Sequence, residues 1–225
     1  MVRSLGGEVG AFPYIAIFID YVGGSPHPRY QIYLSCMRTI IFEGIATSGK
    51  TSIERNLIEL LEANGVSHLL VEEDKTLMPV LYNHDVSEGL RLLTVSIAAA
   101  YAERRDVYIF DRLHLTHAFR TTSEVEKFKQ IEDMLRAYNP VIVLLTIEES
   151  LIPERVRWAL ANRDADWVRH VRRRESDEAI FAHYREQQRG LVRLLVTSSL
   201  PHEVIDTSDL DFRAVARRIY EMYGA

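Results

Sequence analysis

The chain has 225 residues, 47% of them apolar and 26% charged, with a formal net charge of −5. That length and balance suit one soluble domain with a substantial core, and the acidic excess excludes a general attraction to nucleic-acid backbones. A single cysteine, Cys36, excludes an internal disulfide framework and fits a reducing cytoplasm.

The first apolar run, residues 11–22 (AFPYIAIFIDYV), is too short to span a bilayer and is interrupted by Asp20. Arg3 is the only early basic residue and Glu8 precedes the run, which is unlike a signal peptide. No membrane partner is therefore expected. Residues 1–36 read as an N-terminal extension, weakly ordered or contributing an extra strand, with Met37 as an alternative start. Residues 37–225 read as one domain.

Five short runs then read as strands: 39–43 (TIIFE), 68–71 (HLLV), 107–110 (VYIF), 141–146 (VIVLLT) and 203–205 (EVI). They are nearly all apolar rather than alternating, as in a parallel sheet covered on both faces. Helical patterns separate them. The first starts near Gly49, with Ile53, Leu57, Leu60 and Leu61 on one face, and stops at Asn64-Gly65. The second fills 87–105 and is apolar on most sides. The third has Ser123 and Glu126 spaced as a capping box, a stripe of Val125, Phe128, Ile131 and Leu135, and an end at Asn139-Pro140. A fourth begins near Ser150, a fifth covers about 174–195, and the last follows Ser208. Strands alternating with helices give a three-layer α/β domain with a mostly parallel five-stranded sheet. His84, His114, His117 and His170 lack metal-ligand spacing and read as surface or packing residues.

Between the first strand and the first helix stands Gly44-Ile-Ala-Thr-Ser-Gly49-Lys50-Thr51-Ser52. A strand, a glycine-bounded turn and a helix with this spacing form a phosphate cradle, the P-loop. Gly44, Ala46, Thr47, Ser48 and Gly49 supply backbone N–H groups to phosphate oxygens, helped by the helix N-terminus. Lys50 sets a cation on the outer phosphates. The hydroxyl of Thr51 suits Mg²⁺, which prefers oxygen ligands, and Ser52 closes the expected nucleotide-binding stretch. A nucleoside triphosphate with Mg²⁺ is the expected ligand. No Asn-Lys-x-Asp tetrapeptide, the guanine-reading signature of nucleotide switches, occurs.

The segment IIFEGIATSGKTS resembles the opening of the thymidylate kinase and deoxynucleoside kinase group. IFDRLHLT, residues 109–116, resembles the Asp/Glu-Arg motif of those kinases, and PERVRWALANRD, residues 153–164, resembles their arginine-bearing lid. The helix containing FAHYREQQRGLVRLL, and VIDTSD after it, fall where the family has its closing helix and adenine-side loop. The resemblance covers Met37 to the C-terminus and implies ATP-dependent phosphoryl transfer to a small acceptor. It implies Mg²⁺ on Asp111 as well as Thr51, a phosphate contact for Arg112, and lid roles for Arg157 and Arg163. Homodimer formation is a further implication. Arg169, Arg172, Arg173 and Arg174 nearby leave a solvated helix face as the other reading of the lid arginines.

The second strand runs into Glu72, Glu73 and Asp74. A nucleoside hydroxyl needs a carboxylate base at such a place, and Glu72 is the expected one. A monophosphate acceptor would need arginines instead, and three adjacent acids also suit a solvated strand end. Leu113 departs from the family's usual residue after Asp-Arg, and the substrate-side helix lacks its central arginine, so Arg91, Arg104 or Arg105 would substitute. A non-nucleoside alcohol kinase and a non-catalytic nucleotide-binding regulator therefore stay open.

Overall fold

Strands form where the chain carries unbroken branched and aromatic runs. The computed structural model describes residues 15–20, 29–34, 37–174 and 176–224. Within the expected N-terminal extension, β1 (Ile15–Asp20) and β2 (Arg29–Leu34) pair antiparallel as a separate two-stranded sheet, from Ile15 opposite Leu34 to Asp20 opposite Arg29. This is a strand pair where at most one extra strand was expected. The rest of residues 1–36 lies outside the described residues.

The main sheet has five strands, all parallel: β3 (Arg38–Gly44), β4 (His68–Val71), β5 (Val107–Asp111), β6 (Pro140–Thr146) and β7 (His202–Asp206). Their order is β4-β5-β3-β6-β7. The fully apolar runs follow from burial on both faces. Ile41, Tyr108, Phe110, Ile142 and Leu144 enter one core, and Ile40, Phe42, Ile109, Val143 and Leu145 enter the other.

Nine α-helices occur among the described residues: α1 (Lys50–Ala63), α2 (Glu73–Thr76), α3 (Val86–Ala102), α4 (His114–Arg120), α5 (Lys129–Leu135), α6 (Ile152–Asn162), α7 (Ala165–Val171), α8 (Asp177–Leu195) and α9 (Phe212–Tyr223). Helices α1 and α9 cover one face, where Ile53, Leu57 and Leu61 meet Ala216 and Ile219. Helices α3, α4, α5 and α8 supply the opposite core. A third cluster joins Ile45 and Ile147 to Ile152, Val156, Val171 and Phe181, which seats α6 and α7 against α8. No helix among the described residues is long and apolar enough to cross a membrane.

Three sequence expectations change. Ser123 forms no capping box: its hydroxyl donates to Thr121 O at 3.4 Å, and Val125–Phe128 is a 3-10 turn leading into α5. The apolar stripe is still buried, because 3-10 and α geometry both bring residues three apart onto neighbouring positions. The second helix ends at Ala102, short of Arg104, whose φ is 52°. Finally, α7 precedes α8. Asp164 accepts from Trp167 N at 2.8 Å and Ser176 from Ala179 N at 3.1 Å, and each capping side chain starts its own helix.

His114 and His117 pack in the interior, and His84 lies on the surface with Nδ1 3.0 Å from Arg120 O. His117 is 1% exposed and donates through Nε2 to Thr76 O at 2.7 Å. Burial lowers its pKa to about 4. The unfolded chain therefore takes up this proton near pH 6.5 while the folded one does not, so stability falls as pH drops from 6.5 towards 4. By denaturant titration at pH 7 and pH 4.5, the parent is expected to lose roughly 2–3 kcal/mol at this residue. His117→Gln keeps a donor for Thr76 and should lack that loss. Equal losses in both proteins would refute the assignment.

Candidate active site

Parallel strands deliver their C-terminal ends to one edge, where the loops converge. Register places Phe42 beside Asp111 and Gly44 beside Leu145. The 44–52 turn thus begins two residues past Asp111's level. Gly44 and Gly49 have φ of 147° and 84°, in the region that favours glycine. A Cβ on Gly49 would lie 2.2 Å from the Phe212 ring, so the residue is fixed by packing as well as by backbone angle. Ser48 Oγ closes the turn onto Ile45 O at 2.9 Å, and Thr207 Oγ1 ties Ser48 O at 3.0 Å.

Lys50 opens α1 and is only 6% exposed. Its ammonium donates to Gly44 O at 3.2 Å and Ile45 O at 3.1 Å. Burial and the Arg112 charge lower its pKa to about 8, against the pull of Asp111, Glu73 and Glu54. Thr51 is exposed on the first turn of α1, and Ser52 beside it is half-buried.

The Asp111-Arg112 pair turns into this edge through an uncommon backbone angle. Arg112 has φ 61°, and its N–H extends the ladder to Phe42 O at 2.9 Å. Glu43 holds the following turn: one carboxylate oxygen accepts from Leu113 N at 3.0 Å and Thr116 N at 3.2 Å, and the other accepts from the Thr116 hydroxyl. The buried glutamate before Gly44 therefore fastens the start of α4 to the loop strand. Hydrogen bonds to a charged group contribute about 1.5–3 kcal/mol each.

Arg112 Nε lies 3.0 Å from Glu73 Oε1 as an ion pair. Burial alone would raise the Glu73 pKa, but Arg112 and Lys50 outweigh it and hold the carboxyl below the usual range. Asp111 moves the other way, raised by burial despite Lys50 and Arg112. Glu72, one residue earlier, is exposed before the first turn of α2. The carboxylate at this strand end that meets Arg112 is thus Glu73. A one-residue step at a helix start redirects a side chain by about 100°, which residue type and spacing did not reveal.

The two lid candidates separate. Arg163 Nη2 donates to Ala46 O at 2.7 Å, and its guanidinium stands 4.8 Å from the Trp167 ring centre. Arg157 lies 4.9 Å over Phe181, on α8. Arg155 was not foreseen: it donates to Thr207 O at 2.9 Å and Ser208 O at 3.0 Å, tying α6 to the loop before α9. Glu54, also not foreseen, sits one turn after Lys50 and is 4% exposed. Burial, then Asp111, raise its pKa to about 8. Its signal in the sequence was the i,i+4 spacing from Lys50, which puts both on one helix face.

Buried polar atoms without a hydrogen-bond partner among the described residues include Thr47 Oγ1, Glu54 Oε1 and Asp111 Oδ1. All three are oxygens, and a hard cation suits such atoms.

No family model matches the chain, and no curated protein matches it in sequence. Solved structures do match in fold. YorR from Bacillus subtilis, described in complex with phosphorylated GDP, is similar at 15% identity with TM-score 0.59, covering 82% of this chain and 94% of its own. Shikimate kinase from Acinetobacter baumannii, in complex with shikimate, aligns at 18% identity and TM-score 0.50 over 83% of this chain and 92% of its own. Shikimate kinase from Bacteroides thetaiotaomicron aligns at 11% identity and TM-score 0.51 over 83% and 97%. The fold is the P-loop kinase fold: a parallel five-stranded sheet with helices on both faces.

Proposed function

We propose that residues 37–225 form an ATP-dependent kinase of the thymidylate kinase-like type, acting on a nucleoside or nucleoside monophosphate. One observation carries this reading: Lys50, Asp111, Arg112 and Glu73 act on one another at the edge where the glycine turn lies. The kinases among the fold neighbours lend support of a general kind.

In this reading the backbone N–H groups of the 44–52 turn bind the donor phosphates. Lys50 exchanges its two loop carbonyls for the outer phosphate oxygens. Thr51 and Asp111 would hold Mg²⁺, which when bound neutralises charge on the phosphate oxygens. Arg112, oriented by Glu73, grips the moving phosphoryl group or the acceptor. With a nucleoside acceptor, Glu73 receives the hydroxyl proton as the new O–P bond forms and the bond to the ADP oxygen breaks. Arg163 brings the lid onto the turn and limits access of water, while Arg157 belongs to lid packing against Phe181.

The test is a panel of nucleosides, nucleoside monophosphates and simple hydroxy compounds, each with ATP and Mg²⁺, followed by ADP release. At least one nucleoside or nucleotide should raise ADP release at least tenfold over the acceptor-free rate. Turnover with hydroxy compounds alone would reassign the acceptor, and no turnover with any would remove the catalytic reading.

A further inference from the structure

Glu54 is the strongest group that the proposed mechanism leaves unused. It lies on α1 between Ile53 and Leu57, both fully buried, at a place where an apolar residue would fit the helix face. Its side chain makes no ion pair, cap or hydrogen bond recorded among the described residues, and Oε1 is wholly buried without a partner. Lys50 attracts it but makes no hydrogen bond to it, because that ammonium donates to Gly44 O and Ile45 O. A buried, unbonded carboxyl destabilises a fold, so packing gives no reason for it. The charged groups that act on it are Asp111, Lys50, Arg112 and Glu73, the groups already placed beside the 44–52 turn. Asp111 shares the same condition, with Oδ1 buried and unpartnered. Among the described residues no cluster of three or more His, Cys, Asp or Glu side chains forms a metal cage. A cation held here must therefore complete its shell with phosphate oxygens and water, the usual habit of Mg²⁺ with one or two carboxylates.

We propose that Glu54 is a positioning residue of the divalent-cation site, a second carboxylate that acts with Asp111 on the cation through its water shell. This rests on the kinase reading above. It gives the site two acidic groups, one from α1 and one from the end of β5.

The experiment is Mn²⁺ titration by electron paramagnetic resonance, with a non-hydrolysable ATP analogue present, on the parent and on Glu54→Gln. Mn²⁺ affinity should fall about 10–100-fold, the usual cost of losing an outer-shell partner. Binding of the analogue in EDTA should not weaken, and the melting temperature of the ligand-free variant should stay level or rise. Glu54→Met, which suits its apolar neighbours, should show the same Mn²⁺ loss and serves if the Gln variant folds poorly. Parent-like Mn²⁺ affinity in both variants overturns the inference while leaving the kinase reading intact. No Mn²⁺-dependent binding in the parent overturns both.

Discussion

Lys50→Ala is expected to lower ADP formation by about 10³-fold or more while the protein stays folded. Catalysis of phosphoryl transfer is nearly all positioning and charge stabilisation, and a single cationic contact to the transferring group is worth about 10³–10⁵ in rate. The fold does not depend on this ammonium. Lys50 is 6% exposed and its charge is disfavoured there, with a pKa lowered to about 8 by burial and Arg112. Among the described residues its hydrogen bonds go to two carbonyls of its own turn, Gly44 and Ile45. Losing them is offset by relief of a buried cation. Circular dichroism and melting temperature should therefore remain close to the parent's, and a coupled ADP assay should read near background. Turnover within tenfold of the parent would remove the phosphate cradle from the mechanism.

The second large effect separates two adjacent glutamates. With a nucleoside acceptor, Glu73→Gln should cost about 10²–10⁴ in kcat, the range for a positioned general base. Glu72→Gln should change kcat less than twofold, because Glu72 is exposed and has no hydrogen bond from its side chain among the described residues. Gln at 73 still offers Arg112 Nε an oxygen, so the 3.0 Å contact can persist without its charge. A monophosphate acceptor is already anionic and needs no base. With it, Glu73→Gln should cost less than tenfold, so the same variant distinguishes the acceptor classes. Full activity of Glu73→Gln on a nucleoside, with loss in Glu72→Gln, would invert the assignment.

Local chemistry made much of the site readable. Gly44, Gly49, Lys50 and Thr51 fall within one stretch of nine residues, and their expected roles depend on a turn that glycine angles and a helix start fix. Asp111 and Arg112 were legible because they directly follow an apolar run whose end must lie at the sheet's edge. Arg163 was legible as a lid candidate, but its contact with Ala46 O and the diversion of Arg157 to Phe181 were not. Glu43 passed as part of a resemblance, and its three hydrogen bonds to residues 113 and 116 span about 70 positions of chain.

The sequence by itself determined the strand and helix alternation, the parallel class of sheet and the glycine-bounded turn before the first helix. Those follow from short-range causes: apolar runs and glycine angles. Only the tertiary structure decided that Glu73 rather than Glu72 meets Arg112, that Asp111 acts on Glu54, and that Arg163 reaches the turn at Ala46. Each of those is a contact or a shared field between groups far apart in the chain. Such pairings are set by strand order and helix rotation in the packed core, which single-residue preferences do not encode.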